Sequence, residues 1–421
     1  MSTIKSSAED LTLNADGSND VKFQINAVEK ASINSSGLFT STTIDATALT
    51  GNLPAISGAS LTGLPAAGDK RNFIIDGDFT QWPIGTTATT LADSTYGPAL
   101  WHGTSSNDGT VTWERSTDVP TVAAASHESE YSLLLKCTGT DASIGAAQFQ
   151  GLRYNITGSD FSSLHQQACT LSFWAKTSSQ NSGHNYNIAL WNNGADRTFT
   201  QTFSPTSTWT KFTVNITMDS SGTWTFTEAT VGLMINFMLA AGTDWDDGTE
   251  GSWVGTQEGW ASSGTAISNF LDHTSNELYI SQVQLTLGST APTFTSPPIA
   301  TVRDQVRYYV EMINEGGDAS VRFAIGGLRS TTSLNCLLTF APKRINAVTV
   351  TNKSGTASHY GGMNHVDSNG TGTGLPGYGN INGLNGTTNV NQTINSVGSA
   401  GQPCFFRAFD ATAKILIDAR H

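Results

Sequence analysis

Apolar residues that return at every second position, in runs too short to wind a helix, constrain this chain more than anything else in it. Thr170-Leu-Ser-Phe-Trp-Ala-Lys176, Phe212-Thr-Val-Asn-Ile-Thr-Met218 and Val231-Gly-Leu-Met-Ile-Asn-Phe-Met-Leu239 alternate in this way, as does Tyr131-Ser-Leu-Leu-Leu-Lys-Cys137. Such alternation marks a strand with one face on a core. Charged residues are only 13 % of the chain and Gly is abundant, so strong helix formers are scarce and turn formers plentiful. Trp191-Asn-Asn-Gly194 reads as a hairpin turn. In Leu278–Gly288 the apolar phase slips from Leu278 and Ile280 to Val283, Leu285 and Leu287, which predicts a β-bulge at Ser281-Gln282. Residues 71–295 are therefore expected to fold as a two-sheet sandwich of the jelly-roll type.

The first 70 residues have a different texture. Val21, Phe23 and Ile25 alternate with polar residues, Leu11 and Leu13 precede Asn14-Ala-Asp-Gly17, and Ile33 precedes Ser35-Ser-Gly37. Leu-Thr-Gly recurs at Leu49 and Leu61, and Leu-Pro-Ala at Leu53 and Leu64. One copy of such short pieces cannot bury enough apolar area to offset backbone ordering, about 1–2 kcal/mol per residue. The segment is either disordered or shared among identical copies around a thin core, and its regularly spaced apolar residues favour the second. Leu11–Leu64, with its "ADGSN" and "ALTGN" phrases, resembles the N-terminal shaft segments of bacteriophage tail fibres. That resemblance implies a homotrimer whose N-terminus meets other virion proteins.

The middle of the chain resembles the same family. "NFIIDGDFTQW" (72–82) is similar to its opening strand, "SFWAKT" (172–177) to a middle strand, and "LYISQVQLTLGSTAPTF" (278–294) to its closing strand. "RDQVRYYVEM" (303–312) is similar to the helix that follows the jelly roll in many tail-fibre proteins. The resemblance implies a domain like the family 4/9 carbohydrate-binding modules. Such modules often hold a structural calcium with acidic residues of the last strand, where this chain has Ser281-Gln282. Asp76 and Asp78 are left as the calcium candidates, and no other cofactor is expected.

Residues 296–316 are expected to form a connecting helix that starts at Pro297-Pro298. Ile299, Val302, Val306, Tyr309, Val310 and Ile313 share one face, which must dock on the sandwich or on a neighbouring chain. Residues 317–421 read as a small C-terminal β-sandwich, and "LTFAPKRINAVTV" (338–350) resembles the fibre family's terminal domain. The Gly-rich tract Ser354–Gly401 reads as a surface loop or as an adaptable receptor-contacting tip, with Tyr360, His365 and Tyr378 as contacts.

Charge and chemistry narrow the function. Residues 71–295 hold seven Lys/Arg against twenty Asp/Glu and all ten tryptophans. An acidic, Trp-rich domain repels phosphate backbones, so nucleic acid is not an expected partner. No apolar run is long enough to span a membrane, and Met1–Ser7 has no apolar core of a secretion signal. The scattered Cys137, Cys169, Cys336 and Cys404 read as buried free thiols. There is no GxSxG, HExxH or Walker loop, and the eight histidines lack ligand spacing. The acidic cluster Asp244–Glu250 sits in a Gly-containing loop without a matched acid–base pair. No enzymatic activity is expected.

Sugar rings present apolar C–H faces to aromatic rings, and amides and carboxylates bind their hydroxyls. Trp245, Trp253 and Trp260, in the polar loop Asp244–Thr265, are therefore the glycan-binding candidates, together with Trp191 and Asn192. The alternative is that these rings fold back as lids; "GSW" recurs in the resembling family, which favours packing for Trp253. The reading is an all-β, homotrimeric virion fibre protein that attaches to host-surface polysaccharide without cleaving it. It is made in the host cytoplasm and carried on the virion. A purely structural head fibre or decoration protein, and a polysaccharide depolymerase, remain the alternatives.

Overall fold

The computed structural model describes residues 19–36, 39–41, 71–364 and 369–420. The chain divides into two compact units, residues 1–64 and 65–421. The strands expected around Leu11 and Leu13, the repeats between Leu49 and Ala66, and His365 lie outside the described residues.

In the first unit β1 (Val21–Ile25), β2 (Val28–Ile33) and β3 (Phe39–Ser41) form an antiparallel meander. Asn26 and Ala27 take the positive φ values (51° and 58°) that a tight hairpin needs. Register pairs Val21 with Ile33, Phe23 with Ala31 and Ile25 with Val28, so the apolar residues share one face. That face is open: Phe23, Ile25, Val28 and Ile33 are all exposed, Ile25 to 63 %. Three short strands have nothing of their own to cover it with.

The second unit opens differently from the expectation. Residues 72–82 are bends and turns, with Asp76 and Phe79 at positive φ, instead of the expected strand. They lie against the closing strand: Phe73 N donates to Leu285 O (2.9 Å) and Val283 N to Gly77 O (2.8 Å). Gly77 permits this approach, because a Cβ there would stand 1.9 Å from Val283 O.

The jelly roll then runs through β4 (Thr89–Thr90), β5 (Trp101–Ser106), β6 (Thr110–Ser116), the short helix α1 (Val122–Ala125), β7 (Ser132–Gly139) and β8 (Phe149–Thr157). It continues with the short helix α2 (Gly158–Phe161), β9 (Ala168–Thr177), β10 (Tyr186–Asn192), β11 (Thr198–Phe203) and β12 (Thr210–Thr217). β13 (Val231–Ala241), β14 (Ser252–Val254) and β15 (Glu277–Leu287) complete it. Two six-stranded sheets result, in the orders β14-β11-β10-β13-β8-β5 and β12-β9-β15-β7-β6-β4. The alternating residues meet between them: Leu171, Phe173, Ile188, Leu190, Ile235, Phe237, Leu278 and Ile280 are all fully buried. The predicted bulge is present, since β15 slips register against β9 between Ser281 and Gln284, and Gln282 takes φ 53°. Trp191 and Asn192 are the end of β10, so the hairpin turn falls after them instead of on them. All four cysteines are buried free thiols, as expected.

The connecting helix α3 is shorter than expected, Ile299–Tyr309, with Pro298 as its N-cap. Val302, Val306 and Tyr309 dock on the jelly-roll core, and Val310–Ile313 pass directly into strand β16. β17 (Arg322–Ser330), β18 (Ser333–Thr339), β19 (Thr349–Asn352), β20 (Tyr360–Asn364), β21 (Asn369–Thr371), β22 (Gly377–Asn382), β23 (Thr387–Thr393), β24 (Pro403–Ala408) and β25 (Ile415–Asp418) follow. They build a seven-stranded sheet, β21-β20-β24-β17-β18-β23-β22, and a three-stranded sheet, β16-β25-β19.

The Gly-rich tract is therefore not a loop: β20, β21, β22 and β23 all come from it. Tyr360 is fully buried in the C-terminal core, and Tyr378 packs against that core with its hydroxyl on Asn352 Oδ1 (2.5 Å). Tyr360 is thereby closed to a receptor, while Tyr378 stays half-buried.

The three-stranded sheet joins the two cores. Ile415 and Ile417 point into the C-terminal core, while Leu416 between them points into the jelly-roll core. Two arginines reinforce the junction. Arg344 Nε donates to Ala419 O (2.6 Å) and its Nη1 to Glu228 O, and Arg420 Nη1 donates to Ala99 O (2.8 Å) with its guanidinium 3.8 Å from the Tyr96 ring centroid.

Candidate functional site

Because Ile188 and Leu190 point inward, Asn187, Ala189 and Trp191 of β10 point outward from the sheet β14-β11-β10-β13-β8-β5. Register aligns Ala189 with Asn236 and Asn236 with Arg153, and Trp191 with Met234 and Met234 with Asn155. The loop between β13 and β15 folds over this face. It is held by its own backbone: Trp260 N and Ala261 N both donate to Trp245 O (2.9 Å each), and Ser263 N to Gly248 O (2.9 Å). Gly248 sits so close to Ala261 O and Thr200 Oγ1 that a Cβ would stand 2.5 Å from each.

The loop brings three of the sequence-predicted rings together. Trp260 is 3 % exposed and sits at the centre of the cluster. Its ring is 5.3 Å from Trp191, 4.7 Å edge-on from Phe149, and 4.3 Å from Trp245 in a stacked arrangement with 21° between planes. Arg153 lies 5.0 Å from the Trp191 centroid and donates through Nε to Asn236 Oδ1 (2.6 Å). Trp245 is the outer, half-buried member of the stack, tethered by Nε1 to Ala147 O (3.0 Å). Asp244 and Asp247 beside it are exposed. A cavity of about 290 Å³ is walled by sequence neighbours of the two rings, with Ile144, Ala146 and Ile267 as apolar wall and Thr243, Asp246, Ser262 and Ser263 as polar wall; neither Trp245 nor Trp260 lines it.

Beneath the loop the face is polar and incompletely paired. Trp191 Nε1, Trp260 Nε1, Asn187 Oδ1, Asn155 Oδ1 and Gln150 Nε2 are buried without a hydrogen-bond partner. His102, at the rim, has its Nδ1 3.0 Å from Gly103 O and its Nε2 3.2 Å from Asn155 Nδ2. Burial and the nearby Arg153 charge push its pKa down to about 4.

Two sequence-predicted residues do not join this group. Asn192 is fully buried and spends its amide on its own turn and the neighbouring 219–230 segment: Oδ1 accepts from Asp196 N (3.1 Å) and Arg197 N (3.0 Å), and Nδ2 donates to Asp196 Oδ1 (2.6 Å) and Thr223 O (3.0 Å). No polar atom is left for a sugar. Trp253 pairs on β14 and packs on Phe199 (5.6 Å) and Trp224 (5.7 Å), with Nε1 on Thr217 O (2.8 Å); it is a packing residue.

The calcium candidates fare no better. Asp76 Oδ1 accepts from Thr80 N (2.9 Å) and Thr80 Oγ1 (2.6 Å), and Oδ2 from Gln81 N (2.8 Å). Burial pushes its carboxyl up to about 7, with those donors pulling the other way. Donor hydrogens thus occupy the positions a cation would need, and Asp78 accepts the Ser296 hydroxyl. Among the described residues no three His, Cys, Asp or Glu side chains gather to hold a metal, so the residues present do not fit the ion.

A cavity of about 530 Å³ lies beside these aspartates, between residues 71–78, residues 292–297 and α3. Its single aromatic, Phe294, is turned edge-on to His127 (5.0 Å), so it offers less to a sugar than the tryptophan stack.

Among the described residues, Ser354, His359 and Asp410 gather in one place. Ser354 Oγ (2.7 Å), Thr412 Oγ1 (2.9 Å) and Asp410 Oδ1 (3.6 Å) all converge on the same nitrogen, His359 Nδ1. A relay needs nucleophile and carboxylate on opposite nitrogens, and this geometry does not provide it.

Comparison with known proteins adds the following. No family model matches the chain, and no curated protein is significantly similar to it. Solved structures similar in part include the enzymatically active domain of tailspike protein 4 from bacteriophage CBA120, at 13 % identity and a TM-score of 0.26, covering 45 % of this chain and 20 % of that one. The TmCBM61 module, solved with β-1,4-galactotriose, aligns at 10 % identity and a TM-score of 0.26, covering 52 % of this chain and 99 % of its own. The CBM22-1 xylan-binding domain of Paenibacillus barcinonensis Xyn10C aligns at 10 % identity and a TM-score of 0.24, covering 49 % and 95 %.

Proposed function

We propose that this chain is a homotrimeric phage fibre protein that attaches the virion to a host-surface glycan through its jelly roll, without cleaving bonds. One observation carries the reading: Trp245 is half-open, held rigid by its stack on Trp260 and flanked by exposed carboxylates, while its sequence neighbours Thr243 and Asp246 help to wall a cavity with hydroxyl and apolar sides. A preorganised ring beside such a cavity is what a pyranose needs on its apolar face and at its hydroxyls. The open apolar face of β1 and β2 supports association through the N-terminus, with other virion proteins as further partners there.

Binding of fluorescently labelled full-length protein to a panel of bacterial cells tests the proposal. Saturable binding that Trp245→Ala weakens about tenfold supports it. Unchanged binding by a folded Trp245→Ala variant removes the loop as the contact.

A further inference from the structure

We propose that the jelly roll carries a second saccharide platform on its opposite sheet, built on Trp209 and Tyr279 and suited to a neutral glycan. It goes beyond the loop site, which lies on the other side of the sandwich. Register creates it. Ala175 of β9 and Leu278 and Ile280 of β15 point into the core, so Lys176 and Tyr279, cross-strand partners, point outward. Trp209, just before β12, meets Tyr279 at 6.2 Å with 72° between ring planes, and both rings are half-buried. The Lys176 ammonium lies 4.6 Å from the Tyr279 centroid and 5.7 Å from that of Trp209.

Around the rings the polar groups are already oriented. Trp209 Nε1 donates to Asp118 Oδ1 (2.9 Å), and Asp118 also pairs with Lys176. Tyr279 Oη donates to Glu277 Oε2 (2.9 Å), and Lys136 bridges Glu114 (2.9 Å) and Glu277 (3.8 Å). Two half-open rings at a steep angle, ringed by fixed carboxylates and ammonium groups, offer an apolar platform with preset hydrogen-bond partners for hydroxyls. Three carboxylates are matched by the ammonium groups of Lys136, Lys176 and Lys211, the last on the same outward face as Trp209, and leave no surplus positive charge, so a neutral sugar polymer is favoured over one bearing uronic acids or phosphate. Platforms on both faces of each chain would add avidity on a dense polysaccharide.

Affinity electrophoresis of the full-length chain tests this, with soluble xylan, β-1,4-galactan, mannan and laminarin as neutral probes and alginate as the acidic one. Trp209→Ala is expected to weaken binding to a neutral probe about tenfold and Trp209→Phe to restore most of it. Tyr279→Ala should repeat the loss, which keeps the test decisive if Trp209→Ala folds poorly. Trp245→Ala should weaken binding independently, and the Trp209/Trp245 double variant more than either single one. Wild-type affinity in both Trp209→Ala and Tyr279→Ala overturns the second platform and leaves the loop site standing. Loss confined to the Trp209 and Tyr279 variants supports the platform and removes the loop site. Tighter binding to alginate than to every neutral probe overturns the neutral-glycan assignment.

Discussion

Trp245 and Trp260 stack on each other yet differ in burial, Trp245 half-open and Trp260 covered. Trp260 is buried among Trp191, Phe149 and Ala189, so Trp260→Ala should destabilise the protein by about 3–5 kcal/mol in urea unfolding. Trp245→Ala, which removes only the outer ring, should lower stability by less than half of that. Phe173→Ala belongs with Trp260: the ring is fully buried between Phe203, Phe212 and Phe237, and a similar loss is expected. His102 gives a pH prediction. Its neutral form donates from Nδ1 to Gly103 O and accepts at Nε2 from Asn155, so a second proton would face a donor and the Arg153 charge. The folded pKa of about 4 lies below the ordinary 6.5, so the unfolded chain binds the extra proton first and stability falls as pH drops from about 6.5 towards 4. The melting temperature measured across that window should fall less steeply in His102→Gln.

At the scale of elements, alternation was enough to place the jelly-roll core, because each period-two run has one side chain per step to commit. The bulge at Ser281-Gln282 was legible for the same reason: a slip in phase has no other cheap explanation in a strand. Period-two logic failed where both faces are buried. Ile415-Leu416-Ile417 reads as one more short strand, yet it serves two cores, and nothing local signals the second. The Gly-rich tract is not legible as strands because it carries Asn, Gln, Thr and Gly at positions that face the core; Thr388 and Gln392 are buried there. The loop tryptophans were legible as a group, but not which ring would be covered. Trp209 and Tyr279 gave no signal at all, since their meeting depends on strand order. The junction yields its own prediction. Arg344→Met leaves Ala419 O and Glu228 O without their donor, and should lower stability by about 1–3 kcal/mol per stranded acceptor. Calorimetry should still show the jelly roll and the C-terminal sheets melting together.

For the whole molecule the open face of the N-terminal meander matters most. Phe23, Ile25, Val28 and Ile33 would be a liability on a monomer, and the proposed trimer would cover them by sharing them among its copies. Light scattering of the full-length chain should give about three times 44.5 kDa, and Phe23→Asp with Ile25→Asp should shift the mass towards the monomer while the jelly roll stays folded. The central claim, attachment to a glycan without cleavage, is tested most directly by one incubation. Full-length protein is mixed with purified host surface polysaccharide, and bound protein and newly released reducing ends are measured together. The account predicts saturable binding, weakened by Trp245→Ala, with reducing ends no higher than in the protein-free control. Reducing ends that rise with time and enzyme concentration, or binding that Trp245→Ala leaves untouched, would contradict it.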